Sequence, residues 1–109
     1  MENKEIKVIV GLNEQKMPEQ LVWSAEGQPE KVAKAMLLSL FDKNTRETVR
    51  IDLWTTDMQV VEMDRFFFQT LRALADTYQR ATGNTPLAND MQLFAQHFGE
   101  KTEILAPKK

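Results

Sequence analysis

The chain of 109 residues has no cysteine, a single histidine, only four glycines and four prolines, and no apolar run near the length of a membrane span. Without cysteine there are no disulfides, no thiolate nucleophile and no thiolate zinc site, a composition that suits a reducing compartment. The lone histidine, His97, excludes a two-histidine metal site, and a catalytic triad would have to be built around it alone. The four glycines are isolated. Gly11-Leu-Asn-Glu-Gln-Lys16 lacks the second glycine and the Lys-Ser/Thr ending of a phosphate loop, so no nucleotide or other cofactor is expected. The longest apolar cluster, Ala35-Met-Leu-Leu-Ser-Leu-Phe41, falls far short of the roughly 20 residues that cross a bilayer. Met1 to Ile6 offers no signal-peptide core. A cytoplasmic protein without direct membrane insertion is the expectation.

Basic residues number 14 against 16 acidic ones and are scattered among them, for a formal charge of -2. Nucleic acids and anionic membranes are bound by clustered lysine and arginine that displace counterions, so neither is an expected partner. Hydrophobic residues at 42% and charged residues at 28% are those of a chain that folds by itself, and the length suits one domain over residues 1–109.

Ile6, Val8, Val10 and Leu12 alternate with Lys7, Ile9 and Gly11, the period of a strand, and Leu21-Val-Trp-Ser-Ala25 reads as its hairpin partner. Residues 29–41 admit two readings. Pro29 and Glu30-Lys-Val-Ala-Lys-Ala35 suit a helix start, whereas Met36-Leu-Leu-Ser-Leu-Phe41 before the turn-like Asp42-Lys-Asn-Thr-Arg-Glu47 suits a strand from about Ala35 to Asp42. The strand is preferred, because the next segment is the clearest strand in the chain. There Val49, Ile51 and Leu53 face one way, as core, and Arg50, Asp52 and Trp54 the other.

Thr56 and Gln59 have capping-box spacing, which predicts a helix from about Asp57 to Thr82, capped by Gly83. Val60, Met63, Phe67, Leu71, Leu74 and Tyr78 form its apolar stripe, widened by Phe68 and Ala75. Asn84 or Thr85 before Pro86 restarts a helix carrying Leu87, Met91, Phe94, Ala95 and Phe98 and ending near Gly99. Residues 1–4 and 104–109 read as flexible ends. The expected fold is α+β: an antiparallel sheet of about four strands in two hairpins, with two C-terminal helices packed on one face.

Catalytic readings are weak. Asp42 and Asn44 occupy the first two ligand positions of a calcium loop, but Glu47 stands where glycine is needed and Leu53 where a bidentate glutamate is needed. A hairpin turn accounts for them without a metal. Asp52, Asp57, Glu62 and Asp64 cluster around a strand-to-helix junction, where acids commonly serve the helix dipole. Asp64 is the odd one, set among Val60, Met63, Phe67 and Phe68; it and His97 are what a small enzyme would have to use. No catalytic or metal-binding residue is assigned. The surface aromatics say more. Trp54 stands with Arg50 and Asp52 on the face away from the core, where it meets a partner or is covered by residues 26–34. Phe66 lies off the core stripe of its helix and raises the same question, with the second helix as its plainer cover.

At these residues the chain resembles the gliding motility protein GldC family, small proteins of gliding bacteria. The resemblance is carried by Leu21-Val-Trp-Ser-Ala25, by Ala33-Lys-Ala-Met-Leu-Leu-Ser-Leu-Phe-Asp42 and above all by Thr48-Val-Arg-Ile-Asp-Leu-Trp-Thr-Thr-Asp-Met58. It continues through Glu62-Met-Asp-Arg-Phe-Phe-Phe-Gln-Thr-Leu71 and Ala75-Asp-Thr-Tyr-Gln-Arg-Ala-Thr-Gly83. It implies a cytoplasmic accessory role in gliding motility, linked to assembling or operating envelope machinery, and it implies no known reaction. The expectation is therefore a non-catalytic interaction protein. Arg50, Asp52, Trp54 and Phe66 are its candidate partner-binding residues, for a protein of the gliding machinery or a second copy of itself in a homo-oligomer. A rival is a chaperone-like binder of clients destined for export or assembly, an analogy of layout alone.

Overall fold

Each segment that alternates with period 2 is a strand, and each with three- and four-residue steps a helix, in a computed structural model that describes residues 1–106. The order is β1 (Ile6–Leu12), β2 (Pro18–Ala25), β3 (Lys31–Ala33), β4 (Ala35–Phe41), β5 (Thr48–Trp54), α1 (Val60–Thr82) and α2 (Thr85–Lys101), an α+β fold. Two compact units divide between Met58 and Gln59.

In the first unit, β1, β2 and β3 form one antiparallel sheet in that order, and β4 and β5 form a second. Both expected hairpins are present. The helix-or-strand question over residues 29–41 resolves to two strands: the three-residue β3 pairs Leu21 with Ala33 and Trp23 with Lys31, and β4 follows one residue later. This short strand takes the count from about four to five. Val8, Trp23 and Lys31 share one face, and so do Val10, Leu21 and Ala33. Leu21 is the fully buried large side chain of this unit. The Lys31 ammonium sits 5.7 Å from the Trp23 ring centroid, a cation–π contact.

The two sheets are tied at the end of β5. The Thr55 amide donates to Lys34 O at 2.7 Å and the Thr56 amide to Pro18 O at 3.0 Å. Thr55 is buried, and its hydroxyl lies 2.5 Å from Asp57 Oδ1. Asp57 is thus held in a turn, closed by the Met58 amide on Thr55 O, instead of opening a helix. The capping box lies three residues later than Thr56 and Gln59 suggest. The Gln59 amide donates to Glu62 Oε1 at 3.0 Å, and α1 starts at Val60.

In the second unit α1 ends as read, with Gly83 at φ 69° and its amide on Gln79 O. Asn84 caps α2 by accepting from the Leu87 amide. The two helices meet through Phe68, Ala75, Ala88, Ala95 and Gly99, the buried residues of this unit. Small side chains let the backbones approach. That leaves much of the expected core stripe outside the contact: Val60, Phe67, Leu74, Leu87 and Phe94 are exposed. α2 runs to Lys101, just past Gly99, and a β-carbon at Gly99 would stand 2.6 Å from Phe68 Cε1. The chain after α2 is held as far as Leu105, whose amide donates to Gly99 O at 3.0 Å. Residues 107–109 of the expected flexible end lie outside the described residues.

Candidate functional site

The β4–β5 hairpin carries three of the four candidate binding residues, and its register sorts every side chain to a face. On one face Arg50 lies opposite Ser39, Asp52 opposite Leu37 and Trp54 opposite Ala35. On the other, Met36 opposes Leu53, Leu38 opposes Ile51 and Leu40 opposes Val49, three aliphatic pairs without a polar member. Directly opposed residues in an antiparallel pair stand about 5 Å apart, so each row is a continuous surface.

On the first face the charges are spent on each other. Arg50 grips the Asp52 carboxylate with two bonds, Nε to Oδ2 at 3.1 Å and Nη2 to Oδ1 at 2.8 Å, and its Nη1 donates to the Ser39 hydroxyl. Hydrogen bonding and then attraction from Asp52 raise the Arg50 pKa above its ordinary value. The fork fixes the guanidinium between Ser39 and Asp52, with Trp54 the next residue on this face of β5. Trp54 is 55% exposed. Phe41 at the far end of β4 is exposed as well.

Alternation predicts the second face as core. Its membership is as expected, but Leu40 is 60%, Val49 59% and Ile51 50% exposed. Alternation decides which side chains share a face and says nothing of what covers them. The signal that marks this hairpin lies in β4, where Met36, Leu38 and Leu40 point one way and Leu37 and Phe41 the other.

Phe66, the fourth candidate, belongs to the second unit. It lies on α1, half-buried, with its ring edge-on to Phe67 at 6.2 Å between centroids. His97 is exposed beside Phe94, and Asp64 is partly exposed on α1. Asp42 Oδ2 accepts from the Thr45 amide at 2.7 Å and the Asn44 amide at 2.9 Å, the arrangement of a turn-closing aspartate, and these bonds hold its carboxyl below the ordinary value. Among the described residues no three acidic or histidine side chains gather as a metal site, and no helix is long and apolar enough to cross a membrane.

The family model described as gliding motility-associated protein GldC-like matches residues 18–104, which takes in β2 through α2. No curated protein and no solved structure matches the chain.

Proposed function

The chain belongs to the GldC-like family of gliding motility-associated proteins, and from this we propose that it is a non-catalytic, cytoplasmic accessory protein that works by binding a protein of the gliding machinery through the β4–β5 hairpin. The observation that carries this reading is exposure on both faces of a two-stranded sheet, with Trp54 on one and Leu38, Leu40, Val49 and Ile51 on the other. Two strands alone are marginal in water and gain stability from a further layer or strand. Four half-exposed aliphatic side chains in one row make a patch of a few hundred Å², the scale at which exposed apolar surface marks an interaction site. Tryptophan is also the residue type most enriched at the energetic centre of interfaces. Trp54→Ala tests the reading: the unit stays folded and partner recovery from gliding cells falls, whereas unchanged recovery overturns the assignment of that face.

The aliphatic face favours a second reading. It carries no charge or hydrogen-bonding group to select one folded partner, which suits a chaperone-like binder of unfolded clients. Suppression of aggregation of an unrelated unfolded protein, lost on Ile51→Lys, supports that reading, and strict selectivity for one folded partner excludes it.

A further inference from the structure

The side of α2 that flanks its buried contact with α1 carries an ordered stripe. At 100° per residue, Leu87, Asp90, Phe94, His97 and Lys101 fall within an arc of roughly 80°. The Phe94 and His97 rings lie side by side with centroids 6.3 Å apart. Leu87 is 49% and Phe94 54% exposed, and Leu93 beside them is exposed too. Along the same side an open apolar hollow of about 430 Å³ lies between the helices, lined by Leu71, Tyr78, Leu87, Asp90, Met91 and Phe94. Asp90 is the charged residue of that lining, and among the described residues it has no ion-pair partner.

The order of polar groups along the stripe selects an occupant, since a carboxylate accepts from an imidazole N–H. Asp90 stands four residues before Phe94 and His97 three after it, with Lys101 one turn further on. A second α2 laid antiparallel about a two-fold axis between residues 93 and 94 sets each Asp90 against the other copy's His97 and brings the two Phe94 side chains together at the centre. A parallel pairing in the same register sets like against like.

We propose that this face binds a second copy of the chain, α2 antiparallel to α2, with Phe94 of each copy entering the other's hollow. A closed two-fold contact of this kind uses one self-complementary patch twice. The 17-residue helix is roughly 25 Å long, so the contact covers a few hundred Å² per copy, below the roughly 800 Å² of a standard interface. The dimer is accordingly weak, with a dissociation constant in the micromolar range or above. It does not depend on the hairpin faces and stands or falls separately from the partner-binding role.

Sedimentation equilibrium of the whole chain from about 1 µM to about 1 mM tests this. The unsubstituted chain passes from monomer to dimer over that range. Phe94→Ala and Asp90→Lys, both at exposed positions and checked for helicity by circular dichroism, each weaken association at least tenfold. Asp90→Lys combined with His97→Asp sets a lysine against an aspartate across the two copies and restores association. A chain that stays monomeric to about 1 mM overturns the proposal. So does undiminished association of either single variant, or a double variant no better than Asp90→Lys alone.

Discussion

Gly99 on α2 is pressed against the ring of Phe68 on α1 so closely that a β-carbon there would lie 2.6 Å from Cε1 and 2.8 Å from Cδ1 of the ring, with Leu105 Cδ1 also at 2.8 Å. Phe68 is buried, so the ring has no open space to turn into. Overpacking of this kind costs about 1–3 kcal/mol, and alanine's better helix propensity returns up to about 1 kcal/mol. Gly99→Ala is therefore expected to destabilise the helical unit by about 1–2 kcal/mol, read from denaturant unfolding followed at 222 nm. A gain in stability would show that the ring relaxes freely and that the close approach does not hold the helices together.

Leu21 and Ile51 are both strand aliphatics, yet one is fully buried and the other half-exposed. Leu21→Ala should lose about 2–5 kcal/mol, as buried leucines do. Ile51→Ser, on the hairpin face, should change unfolding free energy by no more than about 0.5 kcal/mol, as surface substitutions do. Equal losses at both positions would mean that the aliphatic face is covered in solution.

Acid sensitivity should trace to two aspartates. The Thr55 hydroxyl bond, with the Lys34 ammonium 3.9 Å away, holds Asp57 below its ordinary value near 3.8; backbone amides of Thr45 and Asn44 do the same for Asp42. A carboxyl whose folded value lies below its unfolded one binds fewer protons when folded, so its contribution is present above about 3.8 and disappears as pH falls through the lowered value. Asp57→Asn and Asp42→Asn keep side-chain size and an acceptor. Each should flatten the dependence of the unfolding midpoint on pH below about 4 and leave its slope at neutral pH unchanged. An unaltered acid slope in both variants would exclude these contacts as its source.

Much of this architecture is legible in the residues, and the exceptions have physical causes. The register of β5 follows from Val49, Ile51 and Leu53 alternating with Arg50, Asp52 and Trp54, and Gly83 ends α1 because its left-handed backbone suits glycine. The start of α1 is shifted because two capping signatures overlap. Thr56 and Gln59 have the right spacing, but Thr55 claims Asp57 for a turn and leaves Gln59 and Glu62 to cap the helix. The three-residue β3 is too short to show periodicity, and only its pairing with β2 defines it. Apolar faces of α1 and β5 read as core because hydrophobic patterning reports that a surface is buried somewhere, against its own chain or another. Alternation alone places Arg50, Asp52 and Trp54 on one face, whereas the exposure of the opposite row of Leu38, Leu40, Val49 and Ile51 is visible only in the folded structure.

The central claim is that the hairpin binds a protein partner on which gliding depends. Its most direct measurement is gliding speed in cells whose own copy is replaced by Trp54→Ala or Ile51→Lys, with chain abundance and co-purifying proteins quantified in parallel. The account predicts normal abundance, slowed or abolished gliding, and loss of the same co-purifying protein in at least one of the two variants. Full-speed gliding with an unchanged set of co-purifying proteins in both, at normal abundance, contradicts it.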